Sequence, residues 1–369
     1  MLEYKTCVRC VMDTTDPDIR FNEQGVCNYC EEAESLLSSF KFTPGKEQEN
    51  LKTLAERIKS DSKGKYDSIV GLSGGVDSSY VAYLAREMKL NPLCVHFDNG
   101  WNSEIAVSNI KKIVNKCGFD LETYVIDWPE FRDLQRSFFK AGVVDIEMLT
   151  DHAIMATMFQ LRKKYKIKYI LSGSNYVTEH GMPTSWLWRK QDLPNIKDIQ
   201  KKFGTKKIKN FPTMNSIKFQ LSKMLGLGGT YIEILNNINY SKAMAMEVLK
   251  KEFEWEYYGG KHYESVFTKF YQAYFLPEKF NYDKRKVHLS AQIRNGEITK
   301  EEALKDLLEA PYEPTQLRID KQYVLKKLGF SDEEFEDIMN APPKNHLDYA
   351  SDEWIFNIWR KLRRKKKDA

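Results

Sequence analysis

The sequence predicts an α/β protein built on a parallel, doubly wound sheet, preceded by a cysteine-rich module and followed by a mostly helical region. Short apolar runs alternate with segments whose apolar residues repeat at helical spacing, as expected for helices wound on both faces of one sheet. Four of the six cysteines stand in two close pairs near the N-terminus. We therefore predict three domains: a zinc-binding module of four cysteines at 1–45, the sheet domain at 46–210, and a helical domain with a basic tail at 211–369.

Composition sets the broad class of the protein. The chain has 369 residues, 42% of them hydrophobic and 30% charged, an ordinary balance for a globular protein with more than one domain. No apolar run approaches the roughly 20 residues that a membrane span needs, and the N-terminus lacks the apolar core of a signal peptide. We therefore expect a cytoplasmic protein that does not associate with membranes.

Apolar runs predict four strands, and helical spacing predicts the helices between them. The strands are expected within 66–72, 93–97, 124–126 and 168–171, and the helices at about 78–88, 104–117 and 145–165. Three polar turns follow these strands, namely Ser73–Ser79, Asp98–Gly100 and Ser172–Asn175. Because the carboxyl ends of parallel strands meet at one edge of the sheet, we expect these turns to converge on a single ligand site.

The first polar turn permits two interpretations. Gly71–Gly75 fits the G-x-S-x-G pattern of a hydrolase nucleophile elbow, for which Asp127 and either His180 or His262 would have to complete a triad. That pattern leaves the following Asp77 and the serines beside it unexplained. A phosphate-binding loop explains every position, so we favour it.

Each residue type in this loop has a role in holding an anion. Gly74 and Gly75 let backbone N–H groups approach a phosphate without a Cβ in the way. Three hydroxyl donors and the positive end of the next helix add to them, and Asp77 can hold the loop or a hydrated Mg²⁺. The hydroxyl donors are Ser73, Ser78 and Ser79. The lysine of a Walker loop is absent, which disfavours γ-phosphate transfer.

The stretch Ser73-Gly74-Gly75-Val76-Asp77-Ser78 resembles the PP-loop of the N-type ATP pyrophosphatases, whose fold is that of the adenine nucleotide alpha hydrolases. The resemblance implies that the loop binds the β,γ-pyrophosphate of ATP with Mg²⁺, and that a substrate oxygen is adenylated. It also implies that the end of the second strand borders the adenosine, at His96, Phe97 and Asp98. The last strand end should face substrate through Gly173, Ser174 and Asn175, with Glu179 nearby.

Two C-x-x-C pairs, Cys7/Cys10 and Cys27/Cys30, have the spacing of a four-thiolate zinc ribbon. Such a site leaves no open coordination position, so we expect structural Zn²⁺. An iron–sulfur cluster is the alternative, because four thiolates serve it equally well. Cys94 and Cys117 lie in apolar segments and are expected in the core.

Two long segments resemble the bacterial N-acetyl sugar amidotransferases of lipopolysaccharide O-antigen and flagellar-glycan synthesis. They are CVRCVMDTTDPDIRFNEQGVCNYC near the N-terminus and YYGGKHYESVFTKFYQAYFLPEKFNYDKRKVHLSAQIRNGEITKEEAL from Tyr257 to Leu304.

The resemblance implies that an acetamido group on a nucleotide-linked or acidic sugar becomes an acetamidino group. Ammonia would come from a separate glutaminase like that of histidine biosynthesis, with a cyclase-like companion. Besides Asp77, cations of the second segment are the expected catalytic groups, stabilising charge on the α-phosphate: Lys261, Lys284 and Arg285, with His262 a weaker candidate.

Two other functions remain open at the level of sequence. A PP-loop enzyme that modifies tRNA, of the thiolase type, would also carry zinc-ribbon cysteines and basic stretches. The basic stretches lie at 197–209 and 360–367, and either solvated surface or attraction of an anion explains them. A non-catalytic scaffold that senses nucleotides is the third possibility. We favour the sugar amidotransferase and do not expect nucleic-acid binding.

Overall fold

The computed structural model describes residues 3–39, 45–176, 180–224, 228–259 and 263–358. These residues divide into two compact units. The first unit comprises Met1–Val125, Met158–Trp186 and Gly229–Val324, and the second comprises Ile126–Thr157, Leu187–Gly228 and Leu325–Ala369. The units do not follow the predicted domain boundaries at 45 and 210, which stay a prediction.

A five-stranded parallel sheet forms the centre of the first unit and confirms the predicted fold class. Its order is β3-β2-β1-β4-β5. The strands are β1 (Ser68–Gly71), β2 (Leu93–Asp98), β3 (Asp120–Val125), β4 (Tyr169–Ser172) and β5 (Thr230–Glu233). Strands added on opposite sides of β1 create a topological switch point between β1 and β4, where doubly wound sheets bind ligands.

Strand β5 was not predicted from the sequence. It is an edge strand in which Ile232 alone is buried, so it lacks the continuous apolar run that marks a central strand. Its partner β4 supplies the register, with Ile170 opposite Tyr231 and Leu171 opposite Ile232. Tertiary pairing, rather than local pattern, therefore makes this segment a strand.

Helices cover the sheet and continue through the last third of the chain. Those before β5 are α1 (Asn28–Ser39), α2 (Glu47–Asp61), α3 (Val76–Glu87), α4 (Glu104–Cys117), α5 (Trp128–Ala141), α6 (Met148–Lys164), α7 (Leu193–Phe203) and α8 (Ser216–Met224). Those after it are α9 (Lys242–Phe253), α10 (Val266–Phe270), α11 (Leu276–Phe280), α12 (Lys284–Arg294), α13 (Lys300–Leu308), α14 (Pro314–Leu328) and α15 (Asp332–Asn340), with a π-helical turn at Tyr271–Phe275 between α10 and α11. Among the described residues, none of the helices has the length and apolarity to cross a membrane.

Local signals explain where several helices begin and end. The hydroxyl of Ser103 accepts a hydrogen bond from the backbone N–H of Ala106 and so caps α4. Gly118 ends the same helix in the left-handed conformation, at φ 68°. Capping boxes begin α13 at Thr299 and α15 at Ser331.

The second unit contains a buried polar network around His346. The Nδ1 of this imidazole bonds to Asn195 Oδ1 at 2.8 Å, and its Nε2 accepts from the backbone N–H of Asp145 at 3.3 Å. The ring stacks on Trp188 at 4.9 Å between centroids. Lys190 supplies a cation to the network, and its Nζ lies 2.6 Å from Asp145 Oδ2. Both ring nitrogens are therefore satisfied in the neutral form, with the proton on Nδ1.

We predict that His346 makes the second unit less stable in mild acid. Burial lowers the pKa of His346 to about 4, although the charge of Asp145 raises it in part. In the unfolded chain its pKa is about 6.5, so between these values the unfolded state binds more protons and stability falls as the pH falls. From pH 7 to pH 5 the loss is about 2 kcal/mol for this one group.

His346→Gln should remove that contribution while keeping hydrogen-bonding capacity at the site. The free energy of unfolding in urea, measured at both pH values for wild type and variant, gives the comparison. A variant that loses as much stability on acidification as the wild type contradicts the assignment.

Candidate functional site

The turn after β1 packs directly against the backbone of α4. Gly74 adopts φ +82°, a conformation that L side chains rarely take. A Cβ at this position would lie 2.9 Å from the carbonyl carbon of Ala106 and closer still to its oxygen. Glycine is therefore required here for two reasons, the backbone angle and the absence of space.

Serine hydroxyls surround the start of α3. The Oγ atoms of Ser73 and Ser78 lie 3.1 Å apart, and the Ser73 hydroxyl accepts from the backbone N–H of Gly75 at 3.2 Å. We expected the helix to begin at Ser78, but it begins at Val76. The Ser78 hydroxyl instead donates to the carbonyl of Gly75 at 3.3 Å. Two serine hydroxyls thus lie close together beside the N-terminus of α3, an arrangement suited to an anion.

Ser79 lies differently from the other two serines. Its side chain is completely buried, and its Oγ has no hydrogen-bond partner. Its backbone N–H donates to the carbonyl of Gly75. The predicted contact of this hydroxyl with pyrophosphate stays a prediction.

The turn after β4 meets the turn after β1, as predicted from the topology. A Cβ on Gly173 would lie 3.1 Å from the backbone nitrogen of Ser78 and 3.2 Å from the Cβ of Asp77. The carboxylate of Asp77 accepts a hydrogen bond from the phenol of Tyr240. Asn175, which is buried, donates to the carbonyl of Gly173 at 3.1 Å. Ser174 is exposed beside them.

The end of β2 is also tied to this loop. His96 Nδ1 lies 3.0 Å from the carbonyl oxygen of Leu72, and its Nε2 lies 3.3 Å from Asn102 Nδ2. Asp98 accepts from the backbone N–H of Gly100 at 2.8 Å and holds the turn. Phe97 stacks on Tyr124 of β3 at 5.4 Å. The three predicted turns therefore lie at one edge of the sheet.

Residues after α9 line the loop as well, and the sequence did not single them out for this role. Trp255 is buried, and its Nε1–H donates to the carbonyl of Gly74 at 3.1 Å. The Tyr258 hydroxyl and Glu264 Oε1 lie 3.2 and 3.5 Å from where a Cβ of Gly75 would stand. Aromatic richness at 255–258 was the available signal, but large aromatic residues are as common in a hydrophobic core.

The phenol of Tyr258 is held neutral beside the loop. Burial raises its pKa above the usual value, and the charges of Glu264 and Asp77 raise it further, whereas a hydrogen bond from the backbone N–H of Val76 lowers it. Val76 is the first residue of α3, so this N–H is one of the helix-terminal donors available to an anion. A bound phosphate would share or take over that donor.

The predicted cations are only partly accounted for. Lys261 lies outside the described residues, as do His262 and Glu179. Arg285 pairs with Asp283, with Nη2–Oδ2 at 2.7 Å, and donates to the carbonyl of Glu309 just after α13. Lys284 is buried, with its Nζ 5.2 Å from the ring centroid of Tyr271. Catalytic roles for these cations stay predictions, and the contacts of Arg285 favour a structural role.

The four predicted cysteines converge on one point. All four side chains are buried, and their Sγ atoms lie within 4.8 Å of one another. Cys7 and Cys30 are 4.0 Å apart, and Cys10 and Cys27 are 3.7 Å apart. A tetrahedron with Zn–S bonds of about 2.3 Å has edges of about 3.8 Å, so the donor set fits one four-coordinate ion. Among the described residues, no other group of three or more His, Cys, Asp or Glu side chains is placed to hold a metal ion.

The thiols perturb each other strongly. Hydrogen bonds from Cys10, Cys27 and Cys30 hold the pKa of Cys7 well below its usual range, and the pKa of Cys10 falls to about 7 through its hydrogen bonds with Cys27 and Cys30. The pKa values of Cys27 and Cys30 are raised, chiefly by their contacts with Cys10. Once one thiolate has formed, its negative charge opposes the ionisation of the other three thiols. A bound divalent cation would attract the thiolates and so offset that repulsion.

The cysteine module is bound to helices α12 and α13 in the same unit. The hydroxyl of Ser290 accepts from the backbone N–H of Val11 at 3.3 Å, and Lys286 Nζ lies 2.5 Å from Asp13 Oδ2. Lys300 donates to the carbonyl of Cys7 at 2.6 Å. Arg294 approaches Cys30 Sγ at 4.0 Å and supplies positive charge beside the thiolates.

Two family models match the chain. Residues 264–363 match the C-terminal domain of WbpG-like lipopolysaccharide biosynthesis proteins. Residues 48–211 match NAD synthase, which agrees with the PP-loop predicted at Ser73–Ser79. The predicted resemblance is confirmed at this level.

Relatives cover part of the chain. The uncharacterized protein MJ1599 of Methanocaldococcus jannaschii is 28% identical over 171 residues, which are 45% of this chain and 58% of that protein. The chain thus spans somewhat over half the length of this curated relative.

Among solved structures, similarity is distant. NMN synthetase from Francisella tularensis gives a TM-score of 0.31 at 18% identity, over 58% of this chain and 94% of that one. NH3-dependent NAD synthetase from Campylobacter jejuni gives 0.30 at 16%, over 56% and 94%. The U34-tRNA thiolase NcsA from Methanococcus maripaludis, with its [4Fe-4S] cluster, gives 0.34 at 14%, over 83% and 89%. Scores of this size carry no functional conclusion.

The family matches and the geometry of the loop give one result. This chain combines an N-terminal cluster of four cysteines with a region that carries the PP-loop sequence and matches NAD synthase, and with a C-terminal region that matches the WbpG-like domain of lipopolysaccharide biosynthesis proteins.

Proposed function

We propose that this protein is an ATP-dependent, AMP-forming amidotransferase that converts the acetamido group of an N-acetylated sugar into an acetamidino group. The observation that carries the proposal is the turn Ser73–Ser79 after β1. There the hydroxyls of Ser73 and Ser78 lie beside the N-terminus of α3, where the sheet has its topological switch point. The WbpG-like domain supports a sugar of lipopolysaccharide synthesis as the substrate class. The cytoplasm is the expected compartment.

The chemistry suits a site that binds pyrophosphate. The amide carbonyl oxygen attacks the α-phosphorus of ATP, and pyrophosphate leaves toward the loop. Ammonia then attacks the activated carbon and AMP departs with the oxygen, so that C=O becomes C=NH. Ser73, Ser78 and the first N–H groups of α3 would bind the pyrophosphate, and Asp77 would hold Mg²⁺, which would neutralise part of the phosphate charge. Asp98 would bind the ribose or position the metal.

The remaining cysteines favour ammonia over sulfur as the nucleophile. Cys94 is completely buried in β2, and burial raises the pKa of its thiol. Burial also raises the pKa of Cys117 to about 11. Neither thiol has the lowered pKa of a sulfur relay or of a glutaminase nucleophile. A separate glutaminase with a cyclase-like companion would supply the ammonia, as the resemblance to the sugar amidotransferases implies, and a tRNA thiolase is the less favoured function.

We further propose that the four cysteines hold a structural Zn²⁺. The edges of 3.7 and 4.0 Å fit the ligand spacing around a single ion. A closed site of four thiolates would leave no open position for catalysis, so the metal would stabilise the N-terminal module.

The reaction itself can be tested with ATP, Mg²⁺, ammonium and a panel of acetamido sugars. We expect AMP and pyrophosphate as products, together with a sugar whose mass changes by the replacement of O with NH. Asp77→Ala should lower AMP formation at least about 100-fold, because charge stabilisation at the phosphates is lost.

The control for that variant is Asp332→Ala, which removes a first-turn aspartate from α15 and should leave the rate unchanged. Accumulation of ADP, or AMP formed with tRNA but with no acetamido sugar, would overturn the proposed reaction.

A matched pair of glycine variants tests the loop geometry. Gly74 and Gly118 both have positive φ, but an added Cβ meets the Ala106 backbone at Gly74 and nothing within 4 Å at Gly118. Gly74→Ala should weaken ATP binding at least tenfold, whereas Gly118→Ala should cost only about 1 kcal/mol of stability and leave ATP binding intact. Equal ATP affinities for the two variants, measured by calorimetry, would contradict the predicted binding loop.

Metal analysis tests the cysteine centre. The purified wild-type chain should contain zinc and no iron, and Cys27→Ser should lose the zinc and expose the N-terminal module to limited proteolysis. Cys94→Ala, outside the cluster, should keep the zinc. Iron accompanied by acid-labile sulfide, or a zinc-free variant as protease-resistant as the wild type, would refute structural zinc.

A further inference from the structure

The second unit contains a basic pocket that the proposed reaction does not use. Its volume is about 420 Å³, within the range of small-molecule sites. It lies at the end of α7 and along the loop after it, and Lys197, Lys201, Lys206 and Lys207 line it. Gln200, Gly204, Thr205 and Ile208 complete the lining, so no carboxylate and no aromatic ring belongs to it.

The four lysines of this pocket lack the ion pairs that neutralise their neighbours. Lys202 pairs with Asp198 at 2.7 Å, and Lys190 pairs with Asp145 at 2.6 Å. The pocket lysines form no ion pair within 4.0 Å with a described residue. Asp198 attracts Lys201 and Asp127 attracts Lys206 at longer range. The four ammonium groups still repel each other around one cavity, and an anion in the cavity would relieve that repulsion.

The loop that carries Lys206 and Lys207 has a fixed shape. Asp133 of α5 accepts hydrogen bonds from the backbone N–H groups of Thr205 and Lys206, each at 2.8 Å, and from Gln200 Nε2 at 2.5 Å. Burial opposes its ionisation, yet these hydrogen bonds hold the pKa of Asp133 below its usual value. The carboxylate therefore stays charged, and its role is to shape the loop.

A second carboxylate of α5 fixes the continuation of this loop. Glu130 is buried and accepts from three successive backbone N–H groups, those of Lys209, Asn210 and Phe211, at 2.8 to 3.0 Å. The backbone that carries Lys206 and Lys207 is thus held in place on both sides, by Asp133 before it and by Glu130 after it.

Helix electrostatics account for only part of the cluster. Lys201 lies in the last turn of α7, where a cation stabilises the negative end of the helix dipole. Lys197 lies in the middle of the helix, and Lys206 and Lys207 lie beyond its end, so the dipole does not explain them.

We propose that this pocket binds the diphosphate group of a small molecule. Lysine ammonium groups act as point charges for phosphate oxygens, and several of them suit a group with two phosphorus centres. The lining offers no ring on which a nucleobase could stack, and the cavity has the size of a small ligand, so a single-stranded nucleic acid is disfavoured. Free pyrophosphate and a nucleoside diphosphate share the chemistry that the lysines recognise.

Lysine footprinting tests this site without reference to the proposed reaction. The full chain is acetylated with an amine-reactive ester, and modification at each lysine is followed by mass spectrometry. Inorganic pyrophosphate or UDP should slow acetylation of Lys197, Lys201, Lys206 and Lys207 at least fivefold relative to NaCl of equal ionic strength. Lys202, which is ion-paired and outside the lining, is the internal control. Protection by UDP alone would identify the nucleoside diphosphate as the source.

Variants separate this site from the PP-loop. Lys206→Gln/Lys207→Gln should abolish the protection of Lys197 and Lys201, whereas Lys202→Gln should preserve it. Asp77→Ala should also preserve it, so a failure of the proposed reaction would not remove the footprint. If NaCl protects the lysines as well as the diphosphates do, the effect is general ionic screening and the pocket is not a binding site. If tRNA protects them and neither diphosphate does, the ligand is a nucleic acid. Either result overturns the proposal.

Discussion

The candidate active site depends on a contact between two pieces of backbone. Gly74 lies against the carbonyl group of Ala106 with no side chain between them, and this contact brings the end of β1 onto the first turn of α4. The carbonyl of Gly74 in turn accepts from Trp255, so the loop is held from both sides. Because backbone cannot yield as a flexible side chain can, the donors at the start of α3 stay directed at one point, which is the condition for binding a phosphate tightly.

The start of the WbpG-like domain belongs physically to this site. The backbone N–H of Ser103 donates to the carbonyl of Glu264 at 2.8 Å, and that of Val266 donates to the carbonyl of Trp101 at 3.0 Å. The segment that enters the domain is thereby bonded to the turn between β2 and α4. Further along the same domain, Lys300 contacts the cysteine module. The helical region therefore connects the loop and the cluster of four cysteines within the first unit.

Sequence reasoning identified residues that stand close together in the chain and turns that the sheet topology brings together, but it missed residues that reach the loop from elsewhere in the chain. The spacing within C-x-x-C and within the PP-loop is local, so the four cysteines and Ser73, Gly74 and Ser78 could be named directly. Tyr258 and Glu264 reach the same loop from far along the chain, and no local pattern distinguishes them from core residues. Arg285 stays a predicted catalytic residue, although its donors bind Asp283 and the carbonyl after α13, contacts that favour a structural role.

The sequence by itself determined the parallel sheet, the glycine- and serine-rich turn after its first strand and the four cysteines that cluster in the N-terminal module. Each of these follows from periodicity or from short spacing, which the chain carries without reference to its fold. Only the tertiary structure decided that β5 joins the sheet, that His346 is neutral within a buried network, and that four lysines border one pocket. The strand pairing and the desolvation of His346 arise from contacts between segments far apart in sequence, which no local pattern encodes. The lysines are neighbours in the sequence, but only the folded backbone of α7 and the loop after it places them around one cavity.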